Sequence, residues 1–189
     1  SLTRDYHLDI GDARPVTGLA GPLYGDVYVF KQRSTWKMIP TGDVTTPYRA
    51  VIVSETLGAL VQRLIAAISD TAVAFADSNT VYGLAAQNGP EPISGGIHRT
   101  LKYANLTTSA WLAYNQEDQK LFVMPDSQSS GYVFAMGEGG RWGTFTFAGA
   151  VIMNRGVMVL SDANLQRLSF VGKTAANASL ILSSGASGF

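Results

Sequence analysis

A strand–loop–strand unit recurs along this chain, and its recurrence restricts the fold more than any other feature. The unit is a short apolar run, a polar loop and a second apolar run. It reads DVYVF-KQRS-TWKMI over Asp26–Ile39 and TAVAFA-DSN-TVYGLA over Thr71–Ala85. It returns as AWLAY-NQEDQ-KLFVM over Ala110–Met124 and GYVFAM-GEGG-RWGTFTF over Gly131–Phe147. A further copy, AVIMN-RG-VMVL over Ala150–Leu160, is followed by NLQRLSF over Asn164–Phe170. Each copy predicts a β-hairpin, because the runs are rich in β-branched and aromatic residues and the loops in turn formers. Thr174–Phe189 reads as a weak last strand at Ser179–Leu182 with a tail.

Within the runs the apolar residues are nearly continuous. Val27, Tyr28, Val29 and Phe30 offer bulk to both faces of a strand. A strand covered on both sides needs this; a half-exposed strand does not. Val29, Phe30, Phe75, Val81, Leu121, Val123, Phe134 and Phe145 are therefore the expected core. The first three hairpins lie about forty residues apart, close to the ~40–45 residues of one four-stranded propeller blade. The expected fold is all-β, a propeller-like array of antiparallel hairpins with about four blades or a partial propeller. At 189 residues, one β domain over 1–189 is the default. Closed propellers have ~4–8 blades, so an array this short either closes on itself or leaves sheet edges for partners. Self-closure would use Tyr6–Ile10 against the last strand; coverage by partner subunits is the favoured expectation.

One segment carries a different period. Leu57, Leu60, Val61, Leu64, Ile65 and Ile68 fall on one face of a helix, with Ser54 and Glu55 as a start. Gly58 opposes a helix, and no other helical segment is evident.

Composition excludes several function classes. Fourteen basic residues balance fourteen acidic ones, so no net field gathers nucleic acid or an anionic membrane. With no cysteine there is no disulfide scaffold, thiol nucleophile or thiolate-bound metal. Apolar stretches break well short of the ~18 residues of a membrane span, and no signal peptide is visible. The chain begins Ser1-Leu2 without Met, which reads as a fragment of something longer.

The search for chemistry yields little. His7 and His98 lack acidic partners at ligand spacing. Neither a nucleophile elbow nor a phosphate-binding loop motif occurs. Gly137–Gly143 is glycine-rich but lies between two strands, so it reads as a hairpin turn, not a phosphate cradle. Asp9 and Asp12 lack the further oxygens of a calcium loop. Glu117 and Asp118 read as solvated loop residues, and the sequons at Asn105 and Asn177 carry weight only in a secreted protein. No cofactor or metal is expected. Aromatics remain: Trp36, Trp111, Trp142 and eight tyrosines either fill space between sheets or stack on sugars.

As strings, the hairpins resemble a known family. GDVYVFKQRSTWKM, then TLGALVQRLIAAISDTAVAFADSNTVYGLA, then WLAYNQEDQKLFVMP with GYVFAMGEGGRWGTFTF are similar to strand pairs of bacteriophage tail and head–tail connector proteins with β-propeller folds. The likeness covers roughly Gly25–Phe170, and this chain is shorter than those proteins. It implies strand, not helix, for Gln62–Ile68. It further implies a structural virion protein of phage or prophage origin, assembled in a bacterial cytoplasm and acting through contacts with other virion subunits, as a homo- or hetero-oligomer. No membrane, sequence-specific nucleic acid or catalysis is expected. Two other classes stay open. A carbohydrate-binding or receptor-binding module would expose Trp36 or Trp142, with Arg141 beside it, as ligand or partner contacts. A glycan hydrolase would need two carboxylates ~5–10 Å apart, which no spacing here demands.

Overall fold

A computed structural model describes residues 10–104, 106–125 and 130–146, and the strand backbones of 151–160, 166–174 and 179–183. Strand accounts for 50% of the chain, and among the described residues α-helix is confined to one short segment. The expected all-β fold is present.

The strands form four antiparallel meanders in chain order. The first sheet holds β1 (Val16–Leu23), β2 (Asp26–Lys31), β3 (Thr35–Pro40) and β4 (Tyr48–Ser54). The second holds β5 (Ile65–Ser69), β6 (Ala72–Ala76), β7 (Val81–Ala85) and the short β8 (Glu91–Pro92). The third holds β9 (Trp111–Asn115), β10 (Lys120–Met124), β11 (Ser130–Ala135) and β12 (Arg141–Thr146). The fourth has three strands, β13 (Val151–Leu160), β14 (Gln166–Thr174) and β15 (Ser179–Ser183). The leading strand of each sheet lies against the leading strand of the next: β1 on β5, β5 on β9, β9 on β13. Among the described residues, no pairing joins the first sheet to the last.

Side-chain alternation explains how the sheets stack. Along β6, Val73 and Phe75 point to the first sheet and join Tyr28 and Phe30 there. Ala74 and Ala76 point the other way and meet Leu112, Leu121 and Val123 of the third sheet. Both faces of β6 are thus buried, as its unbroken apolar run requires. At the seam with the third sheet, large residues face the small alanines, which lets those two sheets approach closely. Phe75 is at the junction, its ring 5.0 Å from Phe30 and 5.2 Å from Tyr82. Polar contacts lock the same seam. The Tyr28 hydroxyl donates to the Ala86 carbonyl, and burial pushes that phenol's pKa up. The Gln62 side-chain amide donates to and accepts from the backbone of Leu19, supplying the inner edge of β1 with the partner it lacks.

Four readings are decided or corrected by the structure. First, Leu57–Ile68, where a helical period stood against the strand implied for Gln62–Ile68, forms no α-helix. Leu57 and Ala59 carbonyls accept from Thr35 and Thr17, and the Leu60 N–H donates to Ala76. Backbone groups committed to neighbouring strands cannot form an i−4 ladder. Gly58 runs so close to β2 that a Cβ there would sit 1.9 Å from the Lys31 carbonyl oxygen. The apolar residues divide instead between the two clusters flanking the second sheet: Leu57 and Ile65 on one side, Leu60, Leu64 and Ile68 on the other. Gln62–Leu64 is a 3-10 turn, and strand begins at Ile65. Second, a helix exists where none was expected: α1 (His98–Ala104) covers the second sheet with Leu101. Third, Ala150–Leu160 is not a hairpin. β13 runs straight through Arg155-Gly156 with an irregularity between Met153 and Arg155. A glycine inside a strand commonly marks a bulge, and Arg-Gly is not a tight-turn pair. Fourth, Phe134 and Phe145 are only half-buried, on β11 and β12 at the side of the third sheet away from β9. The other six expected core residues are buried.

The hairpins at Asp26–Ile39, Thr71–Ala85 and Ala110–Met124 are present, as β2–β3, β6–β7 and β9–β10. The fourth, β11–β12, pairs with β10, so the last two copies form one sheet. Phe147 of that hairpin, Tyr6–Asp9, Asn105, Asn177 and the tail after Ser183 lie outside the described residues.

Phe75 has no exposed surface. Phe75→Ala should therefore cost about 3–5 kcal/mol. Phe134→Ala, at a half-exposed ring, should cost roughly half as much. Urea unfolding of the two variants against the parent chain measures both; equal losses would contradict the assigned stacking.

Candidate interaction surface

The three residues singled out by sequence as ligand or partner contacts are Trp36, Arg141 and Trp142. They do not converge: Trp36 is on β3 of the first sheet, and Arg141 and Trp142 are on β12 of the third.

Trp36 belongs to a row that crosses the first sheet on the face turned away from the second. Register places Leu19, Val29, Trp36 and Ile52 opposite one another on four successive strands. Val29 is buried, but Leu19 and Ile52 are 52% and 41% exposed, and Val16 further along β1 is 50% exposed. This face is apolar, and among the described residues no other sheet packs closely on it.

Residues 10–14 cross one end of it as a strap. Lys31, 3% exposed, fastens them. Its ammonium donates to the carbonyls of Ile10 and Asp12 and to the Asp12 carboxylate, using all three N–H groups. Burying an ammonium is tolerated when it is this fully hydrogen-bonded. Gly11 lies directly on the Trp36 ring, with room for no side chain. The indole N–H donates to Ser34 Oγ at 3.1 Å. The Lys31 hydrogen bond holds the Asp12 carboxyl below its ordinary pKa; the Arg14 N–H and charge act the same way, against some desolvation. Asp12, considered as a calcium ligand, is instead the counter-ion of a buried lysine; Asp9 and His7 lie outside the described residues.

Trp142 has a different setting. Its indole N–H donates to the Ile93 carbonyl at 2.8 Å, and its ring lies 4.8 Å from that of Phe134. It is one wall of a shallow cleft of about 590 Å³ shared with Ile93, Gly95, Gly96, Gly140 and Arg141. Arg141 is exposed beside it. The cleft joins an aromatic face to a cation, a pairing able to hold a polar ring. Gly139 and Gly140, both with positive φ, close the β11–β12 turn, as the glycine-rich stretch predicts. Trp111 is buried at 1% and is a core residue.

A second cleft, about 620 Å³, escaped sequence reading. It lies where hairpin turns of three successive sheets meet: Tyr24-Gly25, Ser69–Thr71 and Gln116. The Tyr24 N–H donates to the Asp70 carbonyl across two sheets. Turn residues separated by about one repeat were the available signal. His98 is exposed at the start of α1. Among the described residues, no group of three or more His, Asp or Glu could hold a metal, and no helix is long and apolar enough to cross a membrane.

Two predictions follow from these contacts. A carboxyl whose pKa is lower folded than unfolded adds stability above its unfolded value and loses it as pH falls through the folded one. The strap should therefore release below about pH 4. Trp36 fluorescence on acid titration should show a step that Asp12→Asn, already lacking the charge, does not. At the other site, Trp142→Phe removes the donor to Ile93 and should cost about 0.5–1.5 kcal/mol. Arg141→Ala should stay within about 0.5 kcal/mol, as read by thermal unfolding. No protein-family model matches this chain, and no curated protein matches it.

Proposed function

We propose that this chain is a structural virion protein of a phage tail or head–tail connector. In this reading its meander sheets are blades of a propeller-like array, and it acts through protein–protein contacts without catalysis. The observation that carries the reading is the order of the sheets. Successive meanders stack face to face with their leading strands adjacent, which is how propeller blades surround an axis. The partly open apolar face of the first sheet, with Val16, Leu19 and Ile52 exposed around the strap, supports a role in assembly, since exposed apolar surface marks interaction sites. The likeness of Gly25–Phe170 to phage propeller strands supplies the virion context.

A second reading, a carbohydrate-binding or receptor-binding module of a phage tail, is favoured by one observation. The Trp142 cleft joins a fixed aromatic ring to exposed Arg141.

The test is localisation in particles. Antibodies raised against the purified chain should label intact virions induced from a host carrying its gene, at the tail or portal end. Absence from purified particles would defeat the structural reading. The glycan reading expects saturable binding on a glycan array that is lost in Trp142→Ala; an array without signal removes it.

A further inference from the structure

We propose that the cleft where hairpin turns of three successive sheets meet binds a neutral saccharide, with Tyr24 as the platform for the sugar ring and Asp70 and Gln116 as partners for its hydroxyls. The site is separate from the Trp142 cleft, and the proposal does not rest on the virion reading.

The starting point is a residue that does not suit its turn. Leu23 pairs with Asp26, so Tyr24 and Gly25 alone join β1 to β2. Both have positive φ, 50° and 87°. A two-residue turn of this hand asks for Asn-Gly, because those residues enter left-handed backbone at least cost. A bulky tyrosine at its first position is held there against its own preference. The Tyr24 N–H donates to the Asp70 carbonyl at 3.0 Å, which ties this turn to the one between β5 and β6. The core gains nothing from the arrangement, since Tyr24 is 68% exposed and lines the cleft. Backbone strain beneath an exposed side chain is a mark of functional positions.

The chemistry of the lining selects the ligand. At about 620 Å³ the cleft is in the range of small-molecule sites. Pro22, Ala67 and Ile68 give it apolar surface. The Ser69 and Thr71 hydroxyls are bonded to each other. The Tyr24 hydroxyl, the Asp70 carboxylate and the Gln116 amide, in contrast, have no partner among the described residues. A free carboxylate accepts from two hydroxyls, and an amide both donates and accepts, which together suit a polyol. The C–H face of a sugar ring is apolar and is covered by an aromatic ring. Asp70 is the one charged side chain among the described lining residues, so it repels acidic sugars. It would attract an ammonium, but a single exposed aromatic builds no cage to desolvate one. Tyr24 comes from the first sheet, Asp70 from the second and Gln116 from the third, so stacking of the sheets is what assembles the site.

Saturation-transfer NMR on the complete chain tests this. The probes are the methyl glycosides of glucose, galactose, mannose and N-acetylglucosamine and their neutral trisaccharides, at millimolar concentration. At least one should bind saturably. Tyr24→Asn should weaken that binding by about tenfold and raise the melting temperature, because Asn suits the turn. Asp70→Asn keeps the backbone tie to Tyr24 and should weaken binding by about tenfold as well. Trp142→Phe should leave binding unchanged. Silence from every probe, undiminished binding in Tyr24→Asn or Asp70→Asn, a lower melting temperature in Tyr24→Asn, or tighter binding of choline than of any sugar would overturn the proposal. So would binding that is lost in Trp142→Ala and kept in Tyr24→Asn, a result that leaves the glycan reading of the Trp142 cleft standing. Labelling of virions does not depend on any of these outcomes.

Discussion

The burial of the second sheet on both faces is the constraint from which the rest of the structure follows. β6 has no solvent side: Val73, Phe75, Ala74 and Ala76 are all at 0% exposure. A strand in that position must find two partners, and its neighbours are placed accordingly. The first sheet turns Tyr28 and Phe30 toward Phe75, and the third turns Leu112, Leu121 and Val123 toward the alanines. Sheets separated by small side chains approach closely, and that proximity is what lets Trp142 of the third sheet reach the Ile93 carbonyl. Loss of the Phe75 ring would therefore loosen two interfaces at once.

What could be read from sequence follows the same physics. The central hairpins were legible because two-sided burial writes a continuous apolar run between turn formers. The flanking strands were not. β1 reads VTGLAGPL, with two glycines and a proline, and takes its strand form from β2 on one side and the Gln62 amide on the other. β8 is two residues long and exists only because β7 offers an edge. Leu57–Ile68 read ambiguously because its apolar residues serve two cores on opposite sides of one sheet, which imitates the single stripe of a helix. Tertiary hydrogen bonds from Thr17 and Thr35 outweighed that local preference.

The candidate surface was legible in part. Aromatic enrichment pointed to the three tryptophans, but composition cannot rank them. Trp111 is in the core, Trp142 is half-buried by Phe134, and Trp36 lies beneath a strap. Only the strand register separates these fates. The lysine clasp was illegible for a related reason. Lys31 ends an apolar run and looks like the first solvated residue of a loop, yet it is buried because Ile10 and Asp12 return to it from the start of the chain.

The clasp and the open face are two parts of one problem. A terminal sheet in a stack has a face that its own chain need not cover, and a bare apolar face invites unspecific association. The strap partly answers this by laying polar backbone and the Asp12 carboxylate over the Trp36 end, held by a group that cannot leave without stranding an ammonium. What stays open are Leu19 and Ile52, at the two edges of the row that the strap crosses. The strap thus restricts how much apolar surface the terminal sheet offers, as specific assembly requires.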